Sequence, residues 1–228
     1  MSKIAIIIFA RLNSKRLKGK VLKKIFDKYL LEIIYLRLKR KLNFPIIVNT
    51  SKNKSDDKII KFCQKRKIKF FRGSLNNVFS RTVMCLKKEK IKGFIRVNAD
   101  RPFIDVSEIK KAVKIFQTKK FDIVTNQLHK KIPKGLSCEI ANSKIFYDTF
   151  KKKKLTNPQK EHIFNYFYSN SAGYKIHKLK NSLYEKNAKF NLSIDNKKDF
   201  KRTINIFLKY KNNIFISTSK ILKDLNNK

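Results

Sequence analysis

The stretch FARLNSKRLKGKVL, residues 9–22, sets Arg11, Ser14, Arg16, Gly19 and Lys20 directly behind the apolar run KIAIIIF. Cations and hydroxyls leaving the carboxyl end of a strand suit a polyphosphate, because guanidinium forks and backbone N–H groups neutralise it together. The spacing is not that of a Walker A loop, since Gly-x-x-x-x-Gly-Lys-Ser/Thr is absent. Two acids belong to the same pattern: Asp100 in NADRP (98–102) and Asp195 at the end of FNLSID (190–195). Each ends a strand-like run, and a pair of hard oxygen donors can hold magnesium against such phosphates. Asp195 also precedes NKKDFKRTINIF, where it would serve equally well as a helix N-cap.

These residues need a frame. Strand-like runs occur at KIAIIIF, FPIIVNT, IKFFR, GFIRVN and FDIVTN. Helical patterns lie between them: KYLLEIIYLRLKRKL, SDDKIIKFCQKRK, NNVFSRTVMCLKKEK and DVSEIKKAVKIFQTKK. The alternation, about 25 residues per unit, predicts an α/β fold with a mostly parallel twisted sheet flanked by helices. Asp105 before Ser107 and Glu108, and Ser55 before Asp56 and Asp57, are helix-start signals. Beyond residue 130 the alternation loosens; GLSCEIAN, YKIHKL and KFNLSID read as strands, and helices are expected after NPQ (157–159) and DNKKD (195–199). Asn157-Pro158 reads as a cap followed by proline at the first helical position. KKKK at 151–154 reads as a solvated helix end, and no Pro/Gly linker divides the chain, so residues 1–228 are taken as one domain. Ligands of open α/β sheets bind at the carboxyl ends of the strands, which here carry Arg11 to Lys20, Arg72-Gly73-Ser74, Asn98 to Pro102, and Asp195.

Composition tempers the charge. With 57 Lys and Arg against 16 Asp and Glu, the formal net charge is +41, which ordinarily points to nucleic acid or an anionic surface. Yet lysine is spread along the whole chain and only ten of the basic residues are arginine. The chain is crowded with Lys, Asn, Ile and Phe, residues of A/T-rich codons, and poor in Gly and Pro. The charge is therefore read as compositional, and no nucleic-acid partner is assigned. Against that background Arg11, Arg16, Arg72, Arg81, Arg96 and Arg101 stand out at loops and strand ends, whereas Arg37, Arg40 and Arg66 read as chance survivors on helices. Cys63, Cys85 and Cys138 are odd in number and lack metal-ligand spacing, which implies reduced thiols in a cytoplasmic protein. The run Ile4–Ala10 is too short to span a membrane.

The opening stretch resembles the A-R-x-x-S-x-R-L-P-G-K-x-L signature of the cytidylyltransferases that make CMP-activated sugars. Among these are the acylneuraminate and 3-deoxy-manno-octulosonate enzymes, and the nearest branch is the spore coat polysaccharide biosynthesis protein F type. Five further segments are similar to that branch in the same order: FFRGSLNNVFSRTV, IRVNADRPFID, IPKGLSCEI, KEHIFNYFY and LSIDNKKDF. Departures are Lys18 for the usual proline, Asn77 for aspartate, Ala99 for glycine and Asn196-Lys197 for Thr-Pro.

The resemblance implies a GT-A-like nucleotidyltransferase with a small dimerisation and acceptor-binding extension. Residues 1–126 would form the nucleotide-binding half, 127–190 the acceptor and dimerisation segment, and 191–228 a return strand with the C-terminal helices. It implies transfer of CMP from CTP to an acidic sugar, of nonulosonate or ulosonate type, with magnesium as cofactor and a homodimer as the working form. CTP would meet Arg11, Asn13, Ser14, Arg16 and Lys20 on the first loop. Arg72, Gly73, Ser74 and Arg81 would follow on the second, with Asn98 at the cytosine and Asp100 at the metal. Lys134, Gly135, Glu139, Glu161 and His162 would face the acceptor, and Arg11, Lys20, Asp100 and Asp195 would be the catalytic set. No histidine is matched to the α-phosphate edge, so acceptor deprotonation is assigned to the metal. Two other readings compete: a cytidylyltransferase for a phosphonate or other small acid, and a non-catalytic binder of nucleic acid or another polyanion.

Overall fold

The protein's structure, a computed structural model, describes residues 3–14, 16–129 and 131–226. Strand β1 (Ile4–Phe9) alternates with period two. Ile4, Ile6 and Ile8 enter one apolar cluster, while Ala5 and Ile7 enter a second on the opposite face. A strand buried on both faces needs a helical layer on each side. After the loop that follows β1 come a short hairpin, β2 (Lys24–Ile25) with β3 (Lys28–Tyr29), then α1 (Leu30–Lys41), β4 (Ile46–Ser51), α2 (Asp57–Lys65) and β5 (Phe70–Gly73). Next are α3 (Val78–Lys88), β6 (Gly93–Asn98), α4 (Val106–Phe116), β7 (Ile123–Thr125), β8 (Glu139–Asn142) and α5 (Ser143–Lys152). The chain continues through α6 (Asn157–Glu161), α7 (Asn165–Ser169), β9 (Ile176–Lys178), α8 (Ser182–Lys186), α9 (Lys197–Lys209) and α10 (Thr218–Asn226).

The main sheet runs β5-β4-β1-β6-β8-β7-β9, and β8 alone among its strands is reversed. Helices α1, α2, α4, α9 and α10 cover the first cluster; α3, α5 and α7 cover the second. In the second layer Phe146 meets Phe79, Phe94, Phe164 and Phe167 at centroid separations of 5.0, 4.9, 5.5 and 4.7 Å. That aromatic group, worth about 0.5–1.5 kcal/mol per favourable ring pair beyond area burial, seats the α6–α7 segment on the sheet. Asp105 caps α4 as expected, accepting from Ser107 N–H at 2.9 Å.

Four sequence readings are corrected. KFNLSID does not join the sheet: it makes an isolated bridge at Lys134 and Asn191, and Ile194 N–H donates to the Asp100 carbonyl at 2.9 Å. Helix α6 is capped by Thr156, in a capping box with Gln159, so Asn157 and Pro158 are already helical and Glu161 is its last residue. Ser55 caps nothing; the turn before α2 is capped by Asn53, whose side chain accepts Ser55 N–H at 2.9 Å. Arg37 is no chance survivor. It is 5% exposed and donates to the carbonyls of Ile214 and Ile216, at 2.5 and 2.9 Å, and of Ile104 at 3.3 Å, tying α1 to the C-terminal segment. Among the described residues no helix is long and apolar enough to cross a membrane.

Candidate active site

The register of β1 on β6 places Phe9 opposite Asn98, and Ala99 N–H donates to the Phe9 carbonyl at 3.0 Å. The chain therefore leaves both strands at one height, which brings the Arg11–Lys20 loop beside Asp100. A cleft of about 600 Å³ opens there. The first loop contributes Arg11, Asn13, Ser14, Arg16 and Lys20; α3 contributes Arg81; β6 and its end contribute Arg96, Asn98 and Asp100. Glu161, His162 and Asp195 close the other side. The loop is anchored by Asp56, fully buried, whose Oδ1 accepts Leu12 N–H at 2.7 Å and whose other oxygen accepts the Ser51 hydroxyl. Sequence reasoning saw Asp56 only as a helix-start residue. Its signal was an acid just past a strand end, with Ser51 five residues before it.

Lys20 Nζ lies 2.7 Å from Asp100 Oδ2 and 3.7 Å from Asp195 Oδ1, and it also donates to the Ile194 carbonyl at 2.7 Å. Arg16 reaches Asp195 Oδ1 at 3.1 Å, and Lys134 binds its other oxygen. Burial pushes the Asp195 carboxyl up, but the Lys134 hydrogen bond and the charges of Lys134, Lys20 and Arg16 outweigh it and hold the group below its ordinary range. The capping reading of Asp195 is resolved: Asn196 caps α9, accepting Asp199 N–H at 2.9 Å. Asp100 and Asp195, from distant parts of the chain, thus converge on one cation position that the Lys20 ammonium fills. Two carboxylates there fit magnesium, which characteristically takes one or two protein carboxylates and completes its shell with water and substrate phosphate. Among the described residues no group of three or more His, Cys, Asp or Glu is gathered to hold a metal by itself.

Arg81 is 2% exposed yet lines the cleft. Its Nη1 donates to the Ser74 carbonyl at 2.9 Å, and its buried Nε has no partner. Burial, with Arg11 nearby, lowers its pKa to about 10, and Glu161 works in the opposite sense. Gly73 and Ser74 act through it. A Cβ on Gly73 would sit 2.5 Å from Arg81 Cγ, so glycine is required for that side chain to cross. Arg72 is not brought to the cleft; it points to Asp57, at 2.7 Å, and to the Ser51 carbonyl, at 3.1 Å.

On the opposite side Glu161 clasps Arg11 through both carboxylate oxygens, with Nη1 to Oε2 at 3.3 Å. His162 is exposed and lines the cleft. Glu139 lies behind the wall: 2% exposed, it accepts from Arg96 Nη1 at 2.9 Å and from the Tyr168 hydroxyl at 2.8 Å. Arg96 is a charged cleft residue given no role by the sequence. Its signal was the two-residue spacing to Asn98, which puts both on one face of β6. Gly135, at φ 97°, packs against the Leu192–Ser193 backbone, where a Cβ would come within 2.7 Å, so it shapes the Lys134 turn without lining the cleft.

A mostly parallel sheet with cations and paired acids at its carboxyl edge defines the class, an α/β nucleotidyltransferase of GT-A-like fold. The chain belongs to the cytidylyltransferase family, whose model matches residues 5–221. It is 36% identical over 200 residues to the uncharacterized protein MJ1063 of Methanocaldococcus jannaschii, covering 87% of this chain and 81% of that one. It is 26% identical over 233 residues to the spore coat polysaccharide biosynthesis protein SpsF of Bacillus subtilis, covering 99% and 95%. A cytidylyltransferase from Leptospira borgpetersenii superposes with a TM-score of 0.91 at 25% identity, over 100% of this chain and 95% of that one. The CMP:2-keto-3-deoxy-manno-octonic acid synthetase complexed with CTP shares the fold, with a TM-score of 0.71 at 13% identity over 92% and 100%. The protein is thus a CTP-dependent nucleotidyltransferase, which sets aside the non-catalytic reading of its charge.

Proposed function

We propose that this enzyme transfers CMP from CTP to a small acidic sugar of nonulosonate or ulosonate type, releasing pyrophosphate for surface glycan assembly. The observation that carries the reading is the convergence of Arg11, Arg16, Lys20, Asp100 and Asp195 at one sheet edge. Two names support the acceptor class: a relative in spore coat polysaccharide biosynthesis and a fold neighbour that synthesises a CMP-linked sugar acid. A hydroxyl of the acceptor attacks the α-phosphorus of CTP in line, and the bond to the β-phosphate oxygen breaks. Arg11, Arg16 and Lys20 take the charge that builds on departing pyrophosphate. Asn98 offers an amide to the cytosine edge, both donating and accepting. Asp100 and Asp195 would hold magnesium, which when bound neutralises phosphate charge and acidifies the attacking hydroxyl. The acceptor is assigned to Lys134, which holds Asp195, and to Glu161 and His162, which line the cleft. A homodimer joined through residues 127–190 and a cytoplasmic location complete the proposal.

The test is pyrophosphate release with each of the four nucleoside triphosphates, against a panel including 3-deoxy-manno-octulosonate and N-acetylneuraminate. CTP-specific release with an acidic sugar is expected. Release with CTP and only a phosphonate or another small acid would transfer the acceptor assignment to that class.

A further inference from the structure

Arg11 and Glu161 come to the cleft from opposite sides, one from the loop after β1 and one from the last residue of α6. Their paired contact joins the two sides. Neither is buried, with side chains 40% and 33% exposed, so packing does not impose the pairing. Among the described residues Arg11 is the one hydrogen-bonded partner of Glu161. Behind them Arg81 is repelled by Arg11 and drawn to Glu161. A carboxylate clasped by one guanidinium and attracted by a second, buried one with an unpartnered Nε occupies the position that suits a phosphate oxygen.

We infer that Glu161 is a built-in competitor for the triphosphate: it holds Arg11 in the free enzyme and surrenders it when CTP enters. The inference rests on the reading that Arg11 meets the CTP phosphates. The Nη1–Nη2 edge cannot serve a bidentate carboxylate and a phosphate at once, so Glu161 and a CTP phosphate compete for that edge of Arg11. Glu161 is therefore a positioning residue for the nucleotide as well as a candidate contact for the acceptor. Its carboxylate is free to turn toward the acceptor once Arg11 has changed partner. Binding on one side of the cleft is thereby linked to side-chain availability on the other.

The experiment is calorimetric titration of CTP, with magnesium, into wild-type enzyme, Glu161→Gln, Glu161→Asp, Arg11→Gln and the Arg11→Gln/Glu161→Gln double variant. Removing the competitor charge should tighten CTP binding by roughly two- to fivefold in Glu161→Gln, the range of a partly exposed ion pair. Glu161→Asp, one methylene too short for the paired clasp, should fall between. In the Arg11→Gln background the gain should vanish, because there is no guanidinium left to release. Unchanged or weaker CTP binding in Glu161→Gln overturns the inference. So does an equal gain with and without Arg11, which would be a general charge effect. CTP binding by wild type with no Glu161 effect removes this inference alone, whereas no CTP binding by wild type removes the functional reading beneath it as well.

Discussion

Gly73→Ala isolates the means by which the Arg72-Gly73-Ser74 turn serves the cleft. The added methyl would lie 2.5 Å from Arg81 Cγ, 3.0 Å from its Cβ and 3.2 Å from its Cα. Because backbone as well as side chain is in the way, Arg81 cannot relieve the clash by rotating alone. Overpacking of this kind costs about 1–3 kcal/mol, and for a chain of this size each kcal/mol lowers Tm by about 2–4 °C, so a fall of roughly 2–12 °C is expected. Displacing Arg81 also removes a buried cation from the cleft wall, and CTP binding should weaken by about tenfold, the value of one charge-assisted contact. Arg72→Ala is the control. It forfeits the pairing with Asp57 and the Ser51 carbonyl, should cost under about 1 kcal/mol, and should leave CTP affinity unchanged. Differential scanning calorimetry and CTP titration read both quantities. If Gly73→Ala binds CTP as wild type does, or if Arg72→Ala loses affinity more than Gly73→Ala, the assignment of the turn as a seat for Arg81 is wrong.

CTP with magnesium should raise Tm more than ATP, GTP or UTP, and Arg11→Ala and Lys20→Ala should each cut that shift by the equivalent of about 1–3 kcal/mol; equal shifts with all four nucleotides would remove cytosine selectivity. Asp195→Asn should abolish most turnover, about a hundredfold or more, and should also destabilise the metal-free protein, since Lys20, Arg16 and Lys134 already neutralise the carboxylate. Because the folded pKa of Asp195 is held below its unfolded value, its contribution is full above about pH 4 and is lost as pH falls through the folded value. The stability gap between wild type and Asp195→Asn, followed by urea unfolding, should accordingly close in acid, and a gap constant down to pH 2 contradicts the ion-pair account. Phe146→Ala should cost about 3–5 kcal/mol and raise acceptor KM more than CTP KM, because the ring stack seats α6 and α7. Cys63 and Cys85, pushed up to about 12 by burial, and the buried Cys138 should resist iodoacetamide until urea unfolds the chain; rapid native labelling would contradict their placement.

The parallel half of the fold was legible because its inner strands β1, β4 and β6 are largely buried on both faces, so apolar runs and amphipathic helices alternate without ambiguity. The late half was harder for a physical reason. Phe190, Leu192 and Ile194 alternate as a strand would, but alternation records which side faces the core, not whether a neighbour is free to pair. Here the available partners are Lys134 and the Asp100 carbonyl. Arg11, Lys20 and Asp100 were readable as a group because strand ends collect at one edge, whereas Asp195 reaches them from a non-sheet segment held by the Ile194 N–H bond to the Asp100 carbonyl. Arg72 and Glu139 were misplaced because a motif gives chain position and not side-chain direction: the first turns to Asp57, the second stands behind Arg96. Asp56 and Arg37 escaped notice since their roles are bonds to backbone groups far away in sequence, which no local pattern records.

The reversed strand β8 has an architectural effect of its own. Thr125, which ends β7, pairs with Glu139, which begins β8, so the intervening chain departs and returns at the edge where the cleft opens. A segment tethered at both ends to one rung returns to the cleft, but Asn126, Leu136, Ser137 and Cys138 are buried and Lys134 holds Asp195, so length changes are accommodated only around the exposed Gln127 and Lys131. The rung is therefore a lever on the site: whatever reshapes this connection also moves the ammonium that neutralises Asp195.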